Sequence, residues 1–208
     1  AASAGDIASA SDATKGAGMI GFKPDPGSAA RTVQDKLRDQ VSVKDFGAVG
    51  DGVTDDTLAI QKAIDASTTG SVIDGLGKTY VVTSLKPKSF CTLENFNLIT
   101  KAGSGPSADF VSPITINYGQ TGALFTDITI RNVHIDGNRV NQLAIDYPTP
   151  AGEDGGRHGF RVLGHVENLL IEDCSATYCG TDGIEFLTIA AYTAVPSFKN
   201  IRVVRTKF

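Results

Sequence analysis

Residues 127–135 read DITIRNVHI, and two later stretches superpose on them without a gap. These are NLLIEDCSA at 168–176 and NIRVVRTKF at 200–208. Each begins with Asp or Asn, is apolar at its second and fourth positions, and is apolar again at its ninth. The start of a further copy, NFNL, lies at 95–98. A strand-like pattern that recurs in this way predicts a repeat protein whose coils stack on one another.

The four starts are 32, 41 and 32 residues apart, and a Gly/Pro-rich loop at 137–157 accounts for the longer interval. Within each copy the apolar positions change parity across Arg131-Asn132 and its equivalents, which indicates a bend between two faces of one coil. We therefore predict an all-β fold, a right-handed parallel β-helix. A β-sandwich is the alternative.

Stacked coils place equivalent residues about 4.8 Å apart, so the alignment predicts side-chain neighbours. Such neighbours give charged residues a structural role that does not require catalysis. The predicted neighbours are Arg131 beside Glu172, Asp173 beside Arg205, and His134 in one row with Ser175 and Lys207.

The segment KDFGAVGDGVTDDTLAIQKAID, at 44–65, has a different character. It predicts tight glycine turns and a helix over 54–66, with Thr54 as N-cap and the following acids in the first turn. Ile60 and Ile64 form one apolar ridge, which suits a helix that covers the open end of a solenoid. The glycine spacing fits no phosphate loop, and the acids do not follow the frame of a calcium loop.

The composition limits the classes of partner. The chain has 208 residues and a net charge of −4, which does not favour nucleic acid, and no stretch is long and apolar enough for membrane insertion. The 3 cysteines are expected to be small buried residues. Residues 1–30 are expected to be an extended or poorly ordered leader, followed by a short helix capped by Ser28 with Val33 and Leu37 on one face.

The stretch VSVKDFGAVGDGVTDDTLAIQKAIDA, at 41–66, resembles the entry signature of the pectate-lyase-like β-helix superfamily found in bacteriophage tailspikes. Residues 16–48 resemble the neck that precedes the β-helix in such spikes, and GKTYVVTSL at 77–85 resembles the first strand after the capping helix. This resemblance implies a homotrimer that binds host surface polysaccharide and commonly cleaves it, by hydrolysis or by lyase chemistry.

The resemblance also implies an organisation. Residues 1–40 are expected to be a leader and neck helix that connects to other phage tail or baseplate proteins. Residues 41–70 are expected to be the turn and capping helix, and 71–208 are expected to be the opening coils of a β-helix that is truncated at its C-terminus. The protein is expected in the virion tail after synthesis in the host cytoplasm.

Two groups of residues are candidates for a site. Asp182 and Glu185 in YCGTDGIEF are candidate catalytic carboxylates, because glycoside hydrolysis uses two such groups. Their alternative roles are a turn acid at Asp182 and an outward-facing side chain at Glu185. Candidate substrate-binding residues lie in and beside the long loop, and they are Glu153, Asp154, Arg157 and His158.

We expect no metal and no cofactor, because the histidines are too scattered for a metal frame. The main hypothesis is a tailspike segment whose own task is attachment and structure, with depolymerisation by the full-length protein. One rival is a self-contained polysaccharide lyase or glycoside hydrolase of the β-helix class. The other is a purely structural tail adaptor that does not bind sugar.

Overall fold

A computed structural model describes residues 20–22, 27, 29–33, 40–103, 112–117, 123–142, 157–187 and 198–208. The chain forms two compact units, Ala1–Val41 and Ser42–Phe208. In the first unit, strands β1 (Gly21–Phe22) and β2 (Arg31–Thr32) pair antiparallel. The prediction of a helix that starts at Ser28 is therefore wrong over β2. Most of the other residues of that predicted helix are not among those that the structure describes.

In sequence, strand β3 (Gln40–Ser42) spans the boundary between the units, and a 3-10 helix (Val43–Phe46) follows it. The remaining elements are β4 (Asp51–Asp55), α1 (Thr57–Ala66), β5 (Ser71–Val82), β6 (Cys91–Thr100), β7 (Ile114–Ile116), β8 (Phe125–Asp136), a 3-10 helix (Arg139–Asn141), β9 (Phe160–Leu163), β10 (Val166–Glu172), β11 (Ser175–Thr177), β12 (Ile184–Leu187) and β13 (Phe198–Val204).

The strands of the second unit form two parallel ladders. In the long ladder, β5, β6, β8, β10 and β13 are neighbours in that order, with β4 beside β5 and β11 beside β8. In the short ladder the order is β7, β9, β12. Because the chain alternates between the ladders and moves one strand along at each pass, it winds as a solenoid. The antiparallel pairing that a sandwich requires does not occur among the described strands of this unit.

The core is a set of apolar columns that run up the solenoid. One column joins Ile73, Leu93, Ile130 and Ile171 through successive strand pairs, and all of these side chains are fully buried. The next member, Val203 on β13, is 41% exposed. On the short ladder, β7 and β9 bury Ile114, Ile116, Phe160 and Val162. Burial of each such side chain contributes roughly 1.5–3 kcal/mol.

The predicted bend is confirmed, and its backbone geometry explains the Asn and Asp at these positions. Asn132 has φ 51°, and its equivalents Asn95 and Asp173 have φ 61° and 54°. Asn and Asp tolerate this left-handed conformation better than other side chains with a Cβ. The Asn132 amide also donates to Asn95 Oδ1 at 2.8 Å, which ties one coil to the next.

The predicted stacking register is confirmed between β8, β10 and β13. Ile128 pairs with Leu169, which pairs with Ile201. Arg131 Nε lies 3.1 Å from Glu172 Oε2, Arg205 Nε lies 2.7 Å from Asp173 Oδ1, and His134 Nδ1 lies 3.0 Å from Ser175 Oγ.

The register expected for NFNL at 95–98 is wrong. Phe96 pairs with Val133 rather than with Ile128, so Asn95 corresponds to Asn132 and the interval is 37 residues instead of 32. Asx-plus-apolar patterns occur at both turns of the coil, and the short match could not distinguish them.

The capping helix begins later than predicted. Residues 51–55 form β4, and α1 starts at Thr57 with Asp56 as an N-cap residue whose side chain makes no capping bond. Instead, the Asp56 carboxylate is buried and accepts hydrogen bonds from Val49 N (2.8 Å) and Gly50 N (3.0 Å). It therefore closes the glycine turn that precedes β4.

Helix α1 buries one face. Ile60, Ala63 and Ile64 are all fully buried, and side chains next to this face bond to the turn after β5. Thr57 Oγ1 accepts from Thr83 N (2.8 Å), and Gln61 Oε1 accepts from Lys86 N (2.9 Å). The chain segment that enters the solenoid is thus fixed through both its turn and its helix. In the described part of the chain, no helix combines the length and hydrophobicity that crossing a bilayer requires.

Candidate functional site

The outer face of the short ladder carries a polar column. Thr115 on β7, Arg161 on β9 and Glu185 on β12 are paired in register, one above the other. Thr115 and Arg161 are buried, and Arg161 Nε donates to Glu185 Oε2 at 2.5 Å. A charged hydrogen bond of this length is strong, and it joins two successive coils.

His158 lies just before β9 and contacts two carboxylates. Its Nδ1 is 3.5 Å from Asp182 Oδ2, and its Nε2 is 3.3 Å from Glu185 Oε2. Thr181 Oγ1 is also within 3.1 Å of Nδ1. The imidazole is completely buried, whereas the Asp182 side chain is 65% exposed and that of Glu185 is 17% exposed. One buried ring therefore connects an exposed acid with a largely covered one.

The turn that carries Asp182 is held by backbone contacts. Gly159 N donates to Asp182 O (3.1 Å), and Phe160 N donates to Gly183 O (3.0 Å). A Cβ added at Gly183 would lie 2.5 Å from Phe208 Cβ, a separation that cannot be tolerated without a shift. Glycine at 183 thus allows the turn to lie directly against the strand segment that follows β13.

The structure brings most of the predicted site residues together. Asp182, Glu185 and His158 form the cluster described above, and Arg157 is adjacent to it, since Gly180 N donates to Arg157 O at 3.1 Å. Glu185 is less exposed than predicted, because its carboxylate bonds to Arg161. Glu153 and Asp154 lie outside the described residues.

Sequence reasoning missed Arg161 and Thr181. A signal for Arg161 was available: Gly159-Phe160-Arg161-Val162 and Gly183-Ile184-Glu185-Phe186 share the order glycine, apolar, charged, apolar. These short segments pair in register in the structure. The pattern of the long ladder is easier to recognise, because its strands are longer and recur more often.

The arrangement provides one exposed carboxylate, Asp182, as a hydrogen-bond acceptor for an external ligand. Glu185 is already engaged by a guanidinium, so the two acids are not equivalent. Burial raises the pKa of the nearby Cys179 thiol to about 11, and Asp136 and Asp182 add to this shift. Its reactive thiolate form is therefore scarce at neutral pH. Among the residues that the structure describes, no group of three or more His, Cys, Asp or Glu is placed to hold a metal.

Comparison with known proteins agrees with this architecture. Residues 48–92 match the family described as the N-terminal extension of bacteriophage endosialidase. The chain is 54% identical to the tail spike protein of Shigella phage Sf6 over 56 residues, which are 26% of this chain and 9% of that protein. It is 35% identical to depolymerase 1, capsule K30/K69-specific, of Klebsiella phage K5-2 over 144 residues, covering 62% of this chain and 17% of that protein.

Among solved structures, the family 28 exopolygalacturonase of Yersinia enterocolitica is similar, with a TM-score of 0.57 and 20% identity over 80% of this chain and 38% of that one. The chain spans less than a fifth of the length of either phage relative. The structural likeness confirms the right-handed parallel β-helix. The matched family model, over residues 48–92, includes α1 and most of the glycine turn, which lead into the first coil. The chain is accordingly similar to bacteriophage tailspikes in the segment that enters the solenoid, and its fold is a right-handed parallel β-helix.

Proposed function

We propose that this segment belongs to a homotrimeric tailspike that attaches the virion to host surface polysaccharide, and that the full-length protein depolymerises this polysaccharide. Synthesis in the host cytoplasm precedes incorporation into the tail. Residues 1–40 would connect to other tail or baseplate proteins. The matches to a phage tail spike and to a capsule-specific phage depolymerase support this assignment.

Residues 41–70 would cap the solenoid, and 71–208 would provide its opening coils. The buried apolar face of α1 supports the capping role, since this face would otherwise be in contact with water. The Asp56 carboxylate supports it as well, because it holds the turn from which β4 and α1 start.

The polysaccharide contact within this segment is the outer face of the short ladder. The observation that carries this assignment is the cluster in which exposed Asp182 lies beside buried His158, with Glu185 and Arg161 behind it. An exposed carboxylate is a good acceptor for sugar hydroxyls, and Arg157 adds a cationic side chain close by. Glu153 and Asp154, which precede Arg157 in the sequence, remain proposed substrate-binding residues.

The geometry favours binding over bond cleavage at this position. Hydrolysis by paired carboxylates requires one of them to donate a proton. Glu185 Oε2 is already engaged by the Arg161 guanidinium and lies 3.3 Å from His158 Nε2, so this carboxylate is not free to serve as the proton donor. The rival function, a self-contained hydrolase or lyase that uses Asp182 and Glu185, is the second candidate because these acids do come close to the same ring.

The test is binding of the protein to purified surface polysaccharide from a host strain, measured by calorimetry or surface plasmon resonance together with a reducing-end assay. We expect binding without cleavage, and at least about a tenfold loss of affinity in Asp182→Ala, equivalent to about 1.4 kcal/mol. Asp127→Ala is a matched control, since Asp127 is an exposed turn acid on the long ladder that bonds to Thr126 and Asn168.

Unchanged binding in Asp182→Ala would contradict the assignment of the site. Cleavage by this segment that disappears in Asp182→Ala would establish the enzyme alternative. If the full-length spike also failed to bind host polysaccharide, the structural adaptor would be the correct reading.

A further inference from the structure

We propose that Tyr178 is a sugar-stacking residue of the polysaccharide-binding surface, and that it receives a hexopyranose unit near the unit whose hydroxyls bond to Asp182. The inference rests on the proposed function, because it assigns a second contact to the same surface. It adds the chemical class of the ligand at this point, namely a pyranose ring that presents C–H groups on one face.

The Tyr178 side chain is available to a ligand. It is 73% exposed, more than any other aromatic side chain in the described part of the chain. The contacts between aromatic rings among the described residues all involve other side chains, so no such ring covers Tyr178. Tyrosine combines two apolar faces with a polar tip, and such a ring gains from a ligand that covers one face and leaves the tip in water.

The backbone conformation at Tyr178 is unusual for a large side chain. Tyr178 has φ 52°, a left-handed conformation that is disfavoured for bulky residues. Asn138, in the turn of the preceding coil, has the same φ but is a residue type that tolerates it. Conformations of this kind persist where the surrounding structure fixes them, and they occur often at ligand-binding sites.

Contacts with the preceding coil fix the Tyr178 backbone. Its carbonyl oxygen accepts from Arg139 N at 3.1 Å. A Cβ added at Gly137 would lie 2.6 Å from the same oxygen, so glycine allows the two turns to approach this closely. The ring therefore projects from a well-held base, which reduces the ordering that a ligand would have to impose on it.

The turn from Tyr178 to Asp182 joins the ring to the exposed carboxylate. This step of four residues spans at most about 14 Å when extended, so the two Cα atoms are no further apart than a short oligosaccharide is long. The Asp182 end is fixed as well, because its carbonyl oxygen accepts from Gly159 N (3.1 Å). Between the two ends, the stem of Arg157 packs on Gly180. A Cβ added at Gly180 would lie 2.8 Å from Arg157 Cβ and 2.9 Å from its Cδ.

The chemistry of these three side chains fits a sugar better than an apolar protein surface. The electron-rich face of an aromatic ring attracts the weakly positive C–H groups of a pyranose. A carboxylate accepts from sugar hydroxyls, and a guanidinium donates to sugar oxygens. An apolar surface of another protein would cover Tyr178 but would offer the exposed Asp182 carboxylate no donor, and burying an unsatisfied charge is costly.

The experiment compares affinities for purified host polysaccharide, measured by calorimetry on the folded protein. Tyr178→Ala should bind about tenfold more weakly, an effect typical of truncating an aromatic contact residue. Tyr178→Phe should bind as the parent protein does, because stacking needs the ring and not the hydroxyl. Phe90→Ala is the matched control and should keep the parent affinity. Phe90 is another exposed aromatic residue (43%) with positive φ (62°), and it lies just before β6 on the long ladder.

Tyr178→Trp gives a direct signal from the proposed contact. The chain contains no tryptophan, so the emission of this variant reports on position 178 alone. Polysaccharide should shift this emission to shorter wavelength over the concentrations that saturate binding, because stacking removes water from the indole. This variant remains informative if Tyr178→Ala does not fold.

The outcomes separate this inference from the proposed function. Loss of affinity in Asp182→Ala but not in Tyr178→Ala overturns the stacking role alone, and so does a constant emission while polysaccharide binds to Tyr178→Trp. A change of oligomeric state in Tyr178→Ala at unchanged affinity would assign the ring to a contact between copies of the chain, which also overturns it. A parent protein that binds no polysaccharide refutes the proposed function and this inference together.

Discussion

The Asp56 carboxylate is predicted to be the main support of the turn that leads into the solenoid. It is buried and accepts from the backbone N–H of Val49 (2.8 Å) and Gly50 (3.0 Å). Hydrogen bonds to a charged group contribute about 1.5–3 kcal/mol each. Asp56→Ala removes both and leaves two backbone donors without their acceptor. We expect a loss of about 3 kcal/mol in the free energy of unfolding.

The expected shift in melting temperature follows from size. For domains of about 150–250 residues, 1 kcal/mol corresponds to about 2–4 °C, so Asp56→Ala should melt about 6–12 °C below the parent protein. The melting temperature of Asp56→Asn should lie between those of the parent protein and Asp56→Ala. Its amide oxygen can accept one of the two hydrogen bonds, whereas its NH₂ group faces the other backbone donor. Thermal unfolding by circular dichroism and urea titration both provide the measurement.

Asp55→Ala is the matched control for this prediction. Asp55 is 38% exposed, accepts from Thr57 N (3.1 Å) and pairs with Lys101 Nζ (2.9 Å). Loss of a cap-type bond costs about 1 kcal/mol and loss of a surface ion pair costs less. If Asp56→Ala melted within about 2 °C of Asp55→Ala, the buried Asp56 would contribute no more than the exposed Asp55, and the anchoring role would be refuted.

Three further predictions follow from the described contacts. Hydrogen bonds from Arg131 and Arg205 lower the pKa of Glu172 below its ordinary value of 4.5, and Arg205 lowers that of Asp173 below 3.8. The ionised carboxylates therefore stabilise the fold above these ordinary values, and this stabilisation is lost as the pH falls through the lower folded-state values. Arg205→Gln should flatten the acid limb of a profile of melting temperature against pH, and an unchanged slope would contradict this. Gly50→Ala should destabilise by more than about 1 kcal/mol, since Gly50 has φ 67° and an added Cβ would lie 2.8 Å from Tyr80 Cε1; a melting temperature equal to that of the parent would show that the turn adapts. Burial raises the pKa of Cys91, Cys174 and Cys179 to about 11 each, so the native protein should react slowly with iodoacetamide at pH 8, and labelling as fast as in urea would disprove it.

The long ladder could be predicted from the sequence because its strands repeat the same pattern of apolar positions around a bend. Each coil has apolar side chains on both sides of a bend with left-handed backbone conformation. Asn or Asp at that bend is a recognisable sequence pattern, as at Asn132 and Asp173. The register between β8 and β10 follows from that pattern alone. At Asn95 the same pattern predicts the wrong register. Asp127, with which Asn95 was aligned, lies at the other turn of the coil, where φ is also positive (56°).

The short ladder was harder to predict because its strands are short and the intervals between them vary. Arg161 pairs with Thr115 across 46 residues and with Glu185 across 24. No fixed period connects such positions, so only the local order of glycine, apolar and charged residues aligns them. The sequence predicts His158 as a candidate substrate-binding residue beside the long loop. Its burial between two carboxylates depends on how successive coils stack, which a single segment does not encode.

The two outer faces differ in how their charges are satisfied, and this difference is the reason for proposing a site on the short ladder. On the long ladder, Arg131 lies between Glu94 and Glu172, and Arg205 bonds to both Glu172 and Asp173, so opposite charges alternate from coil to coil and neutralise one another. On the short ladder, Arg161 and Glu185 neutralise each other below the surface and Asp182 remains exposed above them. A surface whose charges are already paired gains little from a polar ligand, whereas an exposed acid held by a buried ring can exchange water for sugar hydroxyls without breaking a contact between coils.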